Sequence, residues 1–305
     1  MRLITRSDFD GLACAVLLKY KGIVNSWKFV HPKDLQDGIV EIGQDDCLAN
    51  VPYVKGCGLW FDHHSSETER NAYKGKYIGE SRLCPSCAHV IYDYYGGAEA
   101  FPNFEAILDA VDKVDSANLT IDEILHPKDW VLLGFIMDPR TGLGRFRNFR
   151  ISNYQLMEDM ITYCADHTIE DILGLPDVQE RVELYWEQND MFIKMIQEHT
   201  HIENKTVISD LRGVDPIYAG NRFLIYSLYP EANLSVWIVN GKGGLGCSAA
   251  VGYSVLNKTC TMDVGNLMLK YGGGGHKVVG TCQFTDEEMN TKLESLIDEI
   301  KVLNK

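Results

Sequence analysis

The sequence predicts an α/β protein: an N-terminal doubly wound, mostly parallel sheet, a helical connector, and a smaller C-terminal α/β domain. Two observations carry this. Residues 1–126 alternate short apolar runs with helical stretches of roughly ten residues, the pattern of parallel strands joined by crossover helices. Residues 127–200 then read as nearly continuous helix, and strand signals return over 201–305. A length of 305 residues fits two domains, each able to bury a core.

Taken in order, residues 2–5 form an apolar strand and 11–20 (GLACAVLLKY) a helix, with Asp8 and Asp10 near its start. Residues 27–30 read as a strand, followed by a turn at His31-Pro32. Further strands are expected over 45–50, 57–61 and 76–78. Pro85-Ser86 opens a helix over 87–95 that stops at Gly96-Gly97, and 104–114 is another helix. The connector holds helices over 129–137, 153–165, 169–174 and 178–200, with Glu198, His199 and His201 at the last end. Strands over 205–210, 234–240, 247–252 and 281–284 alternate with helices over 221–229, 264–271 and 286–303.

The formal net charge of -14 argues against long duplex DNA or an anionic membrane surface as a partner. It leaves room for a small phosphorylated ligand neutralised locally. The nine cysteines lack regular spacing and read as reduced thiols, and no stretch approaches the roughly 20 apolar residues of a membrane span. The N-terminus carries no signal-peptide pattern, so the expected location is cytoplasmic.

Four constellations carry chemistry. Asp62-His63-His64 follows an apolar run, so these side chains fall at a strand's carboxyl end, where open α/β sheets bind ligands. Adjacent histidines in an extended stretch point to opposite sides, one toward a metal and the other toward substrate. Asp8 and Asp10 follow a strand, and two residues apart in extended backbone their carboxylates face one cavity. The competing reading is helix capping. Asp112 and Asp115 end a helix, where anions oppose the macrodipole. Gly272 to Gly275 with His276 read as a loop that approaches something closely or offers bare N–H groups to an anion. Carboxylates with imidazole favour manganese, magnesium or zinc.

Asp8-x-Asp10-Gly11, Asp62-His63-His64, Asp115 and the distant Gly-Gly-Gly-His run together resemble the DHH phosphoesterase superfamily, in the subgroup whose second domain is of the DHHA1 type. The resemblance covers essentially the whole chain and implies a DHH domain over 1–126, a connector over 127–200 and a DHHA1-like substrate-binding domain over 201–305. It implies metal ligation by Asp8, Asp10, His63 and Asp115, with His64 near the scissile phosphate as the catalytic residue. Gly273, Gly274, Gly275 and His276 would contact substrate across an interdomain cleft. Two positions depart from the family pattern. A histidine often precedes the aspartate pair, where this chain has Ile4, Thr5, Arg6 and Ser7. Asn50 stands where the family has a bridging aspartate, with Asp46 earlier in the same strand and His31 as an alternative source of a ligand.

Positive charge is scarce, so its clusters are informative. Arg140, Arg145, Arg147 and Arg150, interrupted by glycines, read as a phosphate cradle or as a solvated connector. Arg222 opens a helix in the C-terminal domain and is a second substrate-binding candidate. The run from Gly241 to Gly244 reads as a hairpin or lid, and Cys84-Pro-Ser-Cys87 as a helix opening rather than half a zinc site.

The expected function is a metal-dependent phosphoesterase, with Mn2+ or Mg2+ as cofactor, acting on short oligonucleotides, linear or cyclic dinucleotides, or 3′-phosphoadenosine compounds. Two alternatives stand beside it: an exopolyphosphatase-like phosphohydrolase, and a catalytically degenerate nucleotide-binding or regulatory protein. A homodimer is compatible with either.

Overall fold

The computed structural model describes residues 1–64, 77–241 and 244–305, so Lys76, Lys242 and Gly243 of the expected strand and hairpin lie outside it. The chain divides into two compact units, Met1–Asn118 with His126–Tyr185, and Leu119–Leu125 with Trp186–Lys305. Residues 127–200 are thus shared between the two units.

The first unit is built on five parallel strands, β1 (Arg2–Thr5), β2 (Ser26–Phe29), β3 (Asp46–Ala49), β4 (Leu59–Asp62) and β5 (Gly79–Ser81), in the order β2-β1-β3-β4-β5. Alternation along the strands sends Ile4, Leu48 and Trp60 to one face, where they pack with Val30, Leu35, Val40 and Val51. Phe61 points to the other face and meets Tyr94 edge-on at 5.1 Å between ring centroids. On that face lie helices α1 (Phe9–Tyr20), α3 (Cys87–Tyr94) and α4 (Glu105–Asp115), while the short α2 (Pro32–Gln36) covers the first. Helices α5 (Asp129–Met137) and α6 (Asn153–Asp166) pack against α4 and α1 respectively.

This strand order reverses direction between β1 and β3, which is where an open parallel sheet leaves a crevice at its carboxyl edge. Asp8 and Asn50 follow those two strands, and Asp62-His63-His64 closes the neighbouring β4.

Local chemistry explains the helix starts. Asp8 caps α1 through Gly11 N–H, and Ser86 caps α3 through His89 N–H, both at 3.0 Å. Helix α1 therefore begins at Phe9, so Asp10 lies in its first turn and not in extended backbone as expected. His31 and Pro32 open α2 where a turn was expected, and His31 Nδ1 accepts from Lys33 N–H at 3.2 Å.

The second unit holds a six-stranded mixed sheet. Its strands are β6 (Thr200–Glu203), β7 (Thr206–Asp210), β8 (Leu234–Asn240), β9 (Cys247–Tyr253), β10 (Gly274–His276) and β11 (Val279–Phe284), in the order β10-β11-β9-β8-β7-β6. Ile208, Val236, Val251, Met268, Phe284 and Ile300 sit in its core. Two expectations change here. His201 lies in β6 and not at a helix end, because Asn204 in left-handed backbone (φ 54°) closes a hairpin from β6 into β7. Gly274 and Gly275 of the glycine run lie with His276 in strand β10, paired with β11, and not in a loop. No helix among the described residues is long and apolar enough to cross a membrane.

Candidate metal centre and active site

The centre begins with a buried carboxylate. Asp10 is 1% exposed and accepts N–H groups of Cys87 at 3.0 Å and Ala88 at 2.8 Å, so the opening turn of α3 holds it from behind. Burial and the nearby Asp115 carboxylate push its pKa up to about 7. Asp115 ends α4 and is likewise raised, by burial first and by Asp8, against the opposing pull of His63, His64 and Arg140.

His63 completes the group. Its Nδ1 lies 3.1 Å from the Cys84 carbonyl, which makes that nitrogen the protonated one and turns the Nε2 lone pair inward. Nε2 stands 3.3 Å from Asp115 and 3.7 Å from Asp10, buried and without an aligned hydrogen bond among the described residues. One ligand atom from each of Asp10, His63 and Asp115 falls within 4.8 Å of the others, and no second such set converges among the described residues. Two carboxylates and a neutral imidazole, oriented by a carbonyl behind it, form a donor set suited to a divalent cation.

His64 lies beside this set. Its Nδ1 is 2.9 Å from Asp62 Oδ1, and Asp62 is itself 1% exposed. Burial pulls the imidazole pKa down, but the Asp62 bond and charge outweigh it, with Asp115 adding, so the net shift is upward. The two rings meet at 4.2 Å between centroids, edge to face. They do not point to opposite sides as expected, because β4 ends at Asp62 and the chain beyond it is no longer pleated.

Asp8 and Asn50 turn toward each other. Asn50 Nδ2 donates to Asp8 Oδ1 at 3.1 Å, an oxygen that also accepts Gly11 N–H. Arg6 Nε stands 3.0 Å from Asp8 Oδ2, an ion pair without an aligned hydrogen bond. Asn50 Oδ1 is buried and has no hydrogen-bond partner among the described residues. Asp46, earlier in the same strand, is engaged with Arg2 at 2.7 Å, and His31 caps α2.

The arginines of the expected phosphate cradle have different partners. Arg140 pairs with Asp138 at 2.8 Å, and its charge also reaches Asp8 and Asp115. Arg150 pairs with Asp177 at 3.4 Å, and the Arg145 guanidinium packs over Gly142. In the second unit the Arg222 guanidinium lies 4.2 Å over the Phe223 ring, and His276 is exposed on β10. A Cβ on Gly273 would sit 2.1 Å from the Thr281 carbonyl, so what that glycine approaches closely is β11.

The residues missed on sequence were Arg6 and the backbone groups of Cys84, Cys87 and Ala88, while Asp62 stood in the triplet without its role as the partner of His64. Arg6 carried a signal, being a cation two residues before the first aspartate. The backbone groups carried none, since any residue type supplies them.

Known structures share this architecture. One is a pGpG-specific phosphodiesterase, PggH, from Vibrio cholerae, 44% identical over 99% of this chain and 99% of that one, with a TM-score of 0.86. The chain belongs to the DHH phosphoesterase superfamily. A DHH domain from a protein placed in a family of ribosomal proteins matches 100% of this chain and 87% of its own at 13% identity and a TM-score of 0.60, a likeness of fold. No family model and no curated protein matches the sequence. Membership makes this DHH protein a metal-dependent phosphoesterase, and the acidic and imidazole groups at the sheet's carboxyl edge are its candidate centre.

Proposed function

We propose that this DHH phosphoesterase hydrolyses short linear dinucleotides, cleaving pGpG to two molecules of 5′-GMP. The observation that carries the substrate class is the 44% identity, across nearly the full length of both chains, to a phosphodiesterase specific for pGpG. The acidic net charge agrees, since a short substrate needs neutralising over only one or two phosphates.

Asp10, His63 and Asp115 would hold a divalent ion, manganese in preference to magnesium because one donor is imidazole. A bound ion would neutralise phosphoryl oxygens and lower the pKa of bound water. The remaining work falls to the protein. Asp62 holds His64 Nδ1, leaving Nε2 to meet the substrate, and its bond and charge shift the ring's pKa upward, favouring the protonated form. His64 would then donate that proton to the departing 3′ oxygen as water adds to phosphorus and the P–O3′ bond breaks. Arg140 is a candidate phosphate contact, because its charge already reaches Asp8 and Asp115. Arg145, Arg222, Gly273, Gly274, Gly275 and His276 remain substrate-binding candidates, and the cytoplasm is the compartment this reading implies.

The test is chromatography of pGpG incubated with the protein and Mn2+, Mg2+ or chelator. 3′-Phosphoadenosine compounds and polyphosphate are assayed in parallel. GMP should form only with a divalent ion. No turnover of pGpG with either ion would overturn the proposal, and faster phosphate release from polyphosphate would establish the phosphohydrolase alternative.

A further inference from the structure

The floor of the centre has two chemically distinct halves. One presents acceptors that converge, Asp10, His63 and Asp115. The other is closed by donors, because Asp8 Oδ1 takes two N–H groups and Asp8 Oδ2 faces the Arg6 guanidinium.

We infer that this chain holds a single divalent ion, at Asp10–His63–Asp115, and that Arg6, paired with Asp8, supplies the second positive charge of the centre in place of another ion. This rests on the phosphoesterase reading for its role in turnover, but the ion count does not depend on substrate. Three points support it. An ion at Asp8 would have to displace a guanidinium only 3.0 Å away. It would also face the Asn50 amide, whose Nδ2 points its hydrogens at the same carboxylate. Finally, one divalent cation and one guanidinium balance the three carboxylates Asp8, Asp10 and Asp115, leaving the centre neutral before an anionic substrate arrives.

The backbone fixes this arrangement. Asn50 sits in left-handed backbone (φ 57°) at the end of β3, where its N–H bonds the Phe61 carbonyl at 3.2 Å. Its side chain is thereby committed: Nδ2 donates to Asp8, and the buried Oδ1 has no hydrogen-bond partner among the described residues. Arg6 is a third exposed, so the charge that holds Asp8 also borders solvent, and its field reaches His64. It is a positioning residue: it fixes Asp8 and sets the charge of the site.

The test counts ions and then reads kinetics on the full chain. Metal-free protein is dialysed against Mn2+ and bound metal is measured by atomic absorption. The wild type should take up one equivalent, Asp10→Asn should lose it, and Arg6→Ala combined with Asn50→Asp should gain a second. Arg6→Ala alone should keep one equivalent while kcat on pGpG falls roughly a hundred-fold. Arg6→Lys should restore part of that loss, and a thermal melt of each variant identifies one that fails to fold. Two equivalents in the wild type, or an Arg6→Ala protein with unchanged kcat, would overturn the inference. A protein that binds one equivalent but leaves pGpG intact would remove the substrate assignment and leave the single-ion centre standing.

Discussion

Asp10 and His64 both have raised pKa values, from opposite causes (burial and a like charge for Asp10, a counter-charge for His64), which makes pH a probe of each. Asp10 has its folded pKa raised above the unfolded value, so the metal-free protein is favoured below about 4, where the carboxyl is protonated in both states. That contribution disappears as pH rises through about 7. The melting temperature of chelated protein should therefore fall over this window, and Mn2+ should reverse the trend at neutral pH. A melting temperature independent of both would show that Asp10 is not strained by its charge. His64 owes its upward shift to Asp62, so Asp62→Asn should lower the imidazole pKa, read by NMR titration, and move the alkaline limb of the rate profile down in pH. Removing the ring with His64→Ala should cost kcat about a hundred-fold or more. Residue types such as these were legible in the sequence; their partners were not. The Asp-His-His triplet and Asp115 announced themselves, but the pairing of Asn50 with Asp8 depends on a left-handed backbone at residue 50. The meeting of the two imidazole rings depends on where β4 stops.

At the level of elements, the start of α1 organises the site. A Cβ on Gly11 would lie 2.1 Å from the Arg6 carbonyl, so only glycine lets the turn between β1 and α1 fold back on the helix. Gly11→Ala should cost about 1–3 kcal/mol in a denaturant melt, and should disturb metal uptake along with stability, because Arg6, Asp8 and Asp10 all sit on that turn. A melt unchanged from the wild type would remove this argument. The elements themselves were readable where apolar runs were long and clear, as at Arg2–Thr5, Asp129–Met137 and Leu234–Asn240. They were not readable where pairing made the strand. Gly274–His276 has no side-chain pattern of its own and is a strand because β11 lies beside it. Thr200–Glu203 directly follows a long helix and is a strand because it pairs with β7 across a hairpin.

At the scale of the whole molecule, charge should govern which substrates are turned over. An acidic protein repels long polyanions more than short ones, so turnover should fall as oligonucleotide length increases. Added salt should narrow that gap by screening the repulsion, and a preference that grows with length at low salt would contradict it. The centre also has a topological meaning. Asp10, His63 and Asp115 are each roughly fifty residues apart along the chain, so an ion bridging them would be a clasp that closes two long loops at once. Such a clasp would act on the rate of unfolding as well as on chemistry, since α1, β4 and α4 could not part without releasing it. Amide hydrogens near the ends of those elements would exchange together and late while it holds, and the first helix to fray after its removal would be the one Asp10 helps to anchor.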